Sequence, residues 1–407
     1  MSYRNLVTQR LAMIAVILFV AFAAIDRKEY DIVLTIRAEA VPQKRLQYLD
    51  DWTTQYPQSE LAQVRRELYL RAFQELGDNR KMLLVAEDMV RMQPDQFVGV
   101  YWCSLLLPAS KETSADRLKT GEAAARQLLK GLDVYFAPGR KPEATAPADW
   151  QKQRDEVERL AHRALGWIEW QRGNHEAAEK EFTECLGKNP KDAEISAWYG
   201  TVLTLEKKEE KLPLAFWHLA RAGSIKGDGG LPDGQRRAVN NLLQGLYTSY
   251  HGSSDGLDKL LTDSAAALDP PAGFNIESAG VIAQRKADQE FEKAEPERYY
   301  WKKLRARLET EGEAYFSDSV KGTPLPRLKG WLVRAEPAAR PRSLVIAISD
   351  QTTEEVVLKL NASLPATGEA GTVLFFDGGL PESFSKTPFS LTLAVEKNKI
   401  EGWPAKQ

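Results

Sequence analysis

At 407 residues the chain is too long for one ordinary core, and a prior of roughly 150 residues per domain leads to an expectation of two or three folded units. Hydrophobic residues at 43% and charged residues at 28% exclude a chain too polar to collapse, and a formal net charge of −2 provides no global field toward nucleic acid or an acidic surface. Cys103 and Cys185 are the only cysteines, so a disulfide-stapled scaffold and a four-ligand zinc site are both excluded, and both thiols read as small core residues.

Residues 1–10 carry Arg4 and Arg10 and no acid, and residues 11–25 (LAMIAVILFVAFAAI) are uninterruptedly apolar. This is the layout of an export signal, and the run is shorter than the roughly 20 residues a spanning helix needs. Small residues around Phe22 permit cleavage after Ala23. Retention would instead leave residues 1–25 as a membrane anchor. Either way the remainder is expected outside the cytoplasm, periplasmic or envelope-associated.

Helical pairs are expected next. Residues 31–56 form a degenerate pair ending at Pro57, and 63–96 form a fuller one, with Phe73, the turn Gly77-Asp78, then Met82, Ala86, Met89 and Pro94. Residues 97–132 form another, with a loop lengthened from Pro108 to Ala115, which closes a helical segment spanning 26–136. Residues 137–149 (APGRKPEATAPAD) contain three prolines and no apolar periodicity, and read as a loop that splits the array.

A second helical segment, 150–271, contains the clearest motif, the 34 residues 159–192. Leu165-Gly166 and Ala178 allow two helices to approach, Gly173-Asn174 turns the chain, Phe182 and Cys185-Leu186 are apolar, and Pro190 stops the second helix. This unit resembles a tetratricopeptide repeat (TPR). Tyr199-Gly200, Ala215, Leu219 and Ala222 repeat it with extra residues at 206–211, and Gly245, Gly252, Leu257 and Leu261 give a fainter copy ending at 269–271. Residues 227–234 (GDGGLPDG) lack the lysine and preceding strand of a phosphate loop, and read as a turn. Residues 272–323 are expected to hold two charged amphipathic helices, 278–293 and 297–316, that cap the solenoid.

From 324 to 407 the pattern changes to that of a small β domain. Phe389, Leu391, Leu393 and Val395 alternate with Ser390, Thr392, Ala394 and Glu396, and further strands are expected at 328–335, 344–349, 356–361 and 372–376. Five or six short strands imply a small barrel or sandwich, with an OB-like barrel preferred because five strands is its number. The fold class is therefore mainly α, a TPR-like solenoid of helical hairpins followed by this module, similar to exported bacterial TPR proteins with a small C-terminal β domain.

His162, His175, His218 and His251 are scattered, no nucleophile elbow is present, and neither cysteine has a catalytic setting, so no enzyme, metal or cofactor is expected. The TPR register instead places Trp102, Trp167, Trp170 and Trp198 on first helices, at positions that usually face the groove. Rigid aromatics there suit a protein or peptide partner. Lys321, Arg327, Lys329, Arg334, Arg340 and Arg342 make the start of the β domain basic. The leading expectation is an exported adaptor without catalysis. The alternative is an envelope-associated module for an anionic polymer, with export arguing against nucleic acid.

Overall fold

A computed structural model describes residues 27–404 apart from residue 366, so the expected export segment at 1–25 lies outside the described residues. The chain divides into two compact units between Ile276 and Glu277. The first is wholly helical. Its elements are α1 (Arg27–Ala38) and α2 (Pro42–Gln55), α3 (Ala62–Leu76) and α4 (Asn79–Met92), α5 (Phe97–Ser110) and α6 (Ala115–Tyr135), α7 (Pro147–Gln171) and α8 (His175–Lys188), α9 (Ala193–Leu205) and α10 (Leu212–Ser224), then α11 (Asp233–His251) and α12 (Leu257–Ala266). From α1 to α11 each helix packs on the next, and α4 on α6, α5 on α7 and α10 on α12 also touch, an order compatible with a helical-repeat solenoid.

The expected turn residues account for the hairpins. Gly77 and Gly173 both adopt positive φ, 71° and 78°, which a side chain would resist. At each, paired backbone bonds close the helix: Gly77 N to Gln74 O with Asp78 N to Phe73 O, and Gly173 N to Trp170 O with Asn174 N to Glu169 O. Asp78 then caps the following helix by accepting from Lys81 N at 3.0 Å.

Close approach of the helices depends on missing side chains. A Cβ on Gly200 in α9 would lie 2.9 Å from the Ala215 carbonyl oxygen and 3.0 Å from the Leu219 nitrogen. One on Gly166 would lie 2.5 Å from a ring carbon of Phe182, and one on Gly99 would lie 2.8 Å from the Met89 Cβ. Ala178 is fully buried beside Phe182, as the motif required.

Two expectations for this unit are corrected. Residues 137–149 do not split the array, because Leu128 and Leu132 before them and Val157, Leu160 and Ala164 after them belong to one buried cluster. The segment is tied down: Lys141 Nζ donates to Thr145 O at 2.8 Å, Trp150 Nε1 donates to Phe136 O at 3.1 Å, and α7 begins at Pro147. Likewise Pro108 lies inside α5, which runs on to Ser110, so the α5–α6 loop is shorter than expected. At the far end Arg221 of α10 is 4% exposed, and its guanidinium donates to the carbonyls of Pro190, Ser264 and Ala267.

The second unit joins two helices to a sheet. The helices are α13 (Ala279–Ala294) and α14 (Pro296–Tyr315), and the strands are β1 (Leu328–Glu336), β2 (Ser343–Ala347), β3 (Val356–Leu360), β4 (Val373–Phe376), β5 (Leu380–Lys386), β6 (Phe389–Val395) and β7 (Ile400–Glu401). The two helices, expected as a solenoid cap, belong here: Trp301, Leu304 and Leu308 of α14 share one core with Leu328, Leu344, Ile346, Leu358, Leu374, Leu391 and Leu393. Glu355 pins this arrangement. It is 1% exposed, accepts from the backbone nitrogens of Ile348 and Ser349 at 2.6 Å each, and is paired with Arg305 of α14.

The sheet is open, which corrects the barrel expectation. Its order is β5-β6-β3-β2-β1-β4-β7, and β3 and β6 run parallel while the other pairs are antiparallel. A barrel would need its edge strands to pair. Here α14 fills the inner face, and the outer side of β5 is covered near its start by Gly322 N to Pro381 O and Leu325 N to Gly379 O, both 2.9 Å.

Gly200→Ala should lower stability by about 1–3 kcal/mol, since the methyl meets backbone that cannot yield. Gly187→Ala, on α8 with nothing within 4 Å of its Cβ position, should raise it by about 0.5–1 kcal/mol. Urea unfolding midpoints of both variants check the pair of signs.

Candidate functional site

The four tryptophans do not share one environment. Trp167 is 5% exposed and belongs to the buried cluster, which corrects its expected groove-facing position. Its indole belongs to the core shared with α3 to α6, while its neighbour Gly166 faces Phe182 of α8. Trp102, Trp170 and Trp198 are half-buried, each lying against the core while keeping part of the indole exposed.

Trp170 of α7 and Trp198 of α9 form the centre of the site. Their rings lie 6.3 Å apart at 51°, and Trp198 also rests on Phe182 at 5.9 Å. Above Trp198 lies the Arg163 guanidinium, 4.8 Å from the ring centroid. Glu194 holds that guanidinium from the side, accepting from Nη2 at 2.9 Å and from Nε at 3.3 Å. One turn away Arg159 pairs with Asp192 at 2.9 Å, so two parallel ion pairs tie α7 to α9. The result is a rigid aromatic shelf with a cation locked above it. Trp102 stands apart on α5, edge-on to Tyr101 at 5.5 Å.

Arg163 and Glu194 were not expected here. Glu194 stands four residues before Trp198 on the same side of α9, but Arg163 reaches both only when α7 and α9 become neighbours. The register of the repeat was the one available signal, and it places Arg163 a turn before Trp167.

The basic residues of the β domain are exposed apart from the half-buried Lys329, and they are partly neutralised. Arg327 pairs with Glu401 at 2.6 Å and lies 4.3 Å from the Phe375 ring centroid, with Lys329 6.0 Å from that same centroid. Arg334 pairs with Glu354 at 3.0 Å and with Glu336. Lys321, Arg340 and Arg342 are exposed and have no carboxylate partner among the described residues. On the same sheet a cleft of about 400 Å³ is lined by residues of both charges, Lys359, Lys399, Asp377, Glu382 and Glu396 among them.

The groups with most chemical potential are spent on structure. Cys103 and Cys185 are buried free thiols in different clusters, and burial pushes both up to about 12. His162 Nδ1 meets Glu181 at 2.7 Å across the α7–α8 contact. His218 is 2% exposed and stacks on Tyr199 at 4.4 Å, and burial, helped by the nearby Arg221 charge, brings it down to about 3. Among the described residues no group of three His, Cys, Asp or Glu side chains could hold a metal ion.

Comparison with protein families finds no matching family model, and comparison with curated proteins finds no match. The class that the chain itself defines is a mainly helical protein, its neighbouring helices packed in pairs, with a C-terminal seven-stranded open sheet.

Two outcomes follow from these environments. Trp167→Ala should cost about 3–5 kcal/mol, and Trp198→Ala distinctly less, as read from urea unfolding. His218 has an ordinary value near 6.5 and a folded value of about 3, so the unfolded chain takes up this proton first as the pH falls. Its contribution is complete above about 6.5 and is lost at about 1.4 kcal/mol per pH unit on the way down to about 3. His218→Phe should flatten the fall in unfolding free energy between neutral and mildly acid buffer by that slope.

Proposed function

We propose that this protein is an exported, non-enzymatic scaffold of TPR type that binds a protein or peptide partner on the face formed by its first helices. The observation that carries this reading is the Trp170–Trp198 shelf with Arg163 stacked above it. Large, rigid, half-exposed aromatics flanked by arginine are the side chains that dominate binding energy in protein interfaces. They cost little conformational entropy on binding, because the core already holds one side of each ring. The pairing Gly/turn/Pro pattern of 159–192 and the order of packed neighbours support assignment of the helical unit to the TPR type.

Binding of an anionic polymer through the β domain has less support, since Arg327 and Arg334 are already held by carboxylates. Salt separates the two readings. Contact with an apolar shelf survives high salt, while polyanion binding weakens steeply as salt rises.

The test is affinity capture from native envelope with identification by mass spectrometry, comparing the wild-type chain with Trp170→Ala/Trp198→Ala. The expected result is a partner retained in high salt by the wild type and lost by the double variant, with the thermal transition of the variant still cooperative. Equal retention by both chains would remove the shelf from the interface.

A further inference from the structure

The Trp170–Trp198 shelf carries hydrogen-bond donors that the fold leaves unspent. Five other indoles use their N–H internally: Trp52 donates to Glu29, Trp150 to the Phe136 carbonyl, Trp217 to the Leu268 carbonyl, Trp301 to Glu355 and Trp403 to the Pro365 carbonyl. Nε1 of Trp170 and Nε1 of Trp198 donate to no group among the described residues, and neither nitrogen is sealed in the interior. Arg163 repeats the pattern. Its Nε and Nη2 donate to Glu194, while Nη1 has no partner among the described residues and is likewise not enclosed. The three groups are neighbours, with the rings 6.3 Å apart and the guanidinium 4.8 Å from the Trp198 centroid.

We infer that the occupant of this shelf is a proline-rich segment in the polyproline II conformation. The inference rests on the shelf as the interface and adds the chemistry of what lies on it. Net charge does not select an anion, because Glu194 neutralises Arg163 and Asp192 neutralises Arg159. The unspent groups are donors, so the occupant must bring acceptors. An α-helix spends its carbonyls internally and meets such donors only with its last turn. A β-strand brings free carbonyls together with N–H groups, for which the carboxylate at hand, Glu194, is already engaged by Arg163. Polyproline II has no internal hydrogen bonds and proline has no N–H, so a proline-rich segment brings acceptors alone. Its apolar rings lie against indole, and its conformation exists before binding, which lowers the cost of ordering it.

The probe is decaproline, titrated into the full chain isotope-labelled at its tryptophan nitrogens and followed by NMR through the indole N–H signals. Trp170→Phe and Trp198→Phe each remove one signal and so assign it. The expected result is a saturable downfield shift of those two signals, with the internally bonded indoles of Trp217 and Trp301 unmoved. Each Phe variant keeps a ring against the core but loses the donor, so its affinity for decaproline should fall about three- to tenfold with the thermal transition retained. Tighter binding of an alanine-based helical peptide than of decaproline overturns the proline assignment in favour of a helical partner. No shift with decaproline, while Trp170→Ala/Trp198→Ala still loses its partner from native envelope, overturns the proline assignment and leaves the shelf as the interface. No shift together with equal partner retention by that double variant overturns both.

Discussion

The helical unit depends on places where no side chain can be tolerated. Gly99, Gly166 and Gly200 each lie under a neighbouring helix, facing the Met89 Cβ, the Phe182 ring and the Ala215–Leu219 backbone respectively. Interiors are packed to crystal-like density, so the spacing of two helices follows from the bulk of what lies between them. With glycine in these positions α8 and α10 seat against α7 and α9, and only then do Arg163 and Glu194, or Trp170 and Trp198, come within reach. The site is thus downstream of packing. Its side chains are ordinary, and their juxtaposition is a product of the close helix contacts.

The C-terminal unit solves a different problem by a different device. An open sheet with one apolar face must be covered, and α14 covers it with Trp301, Leu304 and Leu308. A helix lying on a sheet has many near-equivalent seatings if greasy contact alone decides. Glu355 removes that freedom, because its two oxygens are satisfied by the Ile348 and Ser349 amides and by Arg305 in one seating. Removing either partner would leave the other charge buried without compensation, which penalises any other seating.

What could be read from the sequence follows the range of the interactions. Turns and helix pairs were legible because Gly77-Asp78 and Gly173-Asn174 act on adjacent backbone, and Ala178 acts on the next helix. Strands were legible where one face is buried, as in Phe389–Val395, and missed at β5, whose exposed polar residues and Pro381 break the alternation, and at β7, which is only two residues long. The barrel expectation failed because closure depends on which edges meet, and the parallel pairing of β3 with β6 leaves no trace in either strand. At the site, Trp170 and Trp198, expected on the groove face, are half-buried. Trp167 differs from Trp170 by less than one turn, and which of the two faces inward is decided by the neighbouring helix.

Repeat arrays are usually free to gain or lose a unit, because each contacts only its neighbours. In this helical unit Arg221 joins elements that are not sequence neighbours. Its guanidinium is buried and held by carbonyls following α8 and at the end of α12, so it spans three successive hairpins. A chain lacking the last hairpin would keep a desolvated positive charge with two of its three carbonyl acceptors gone. One buried side chain thus ties the segment from α7 to α12 together and sets a physical cost on deleting any of its three hairpins.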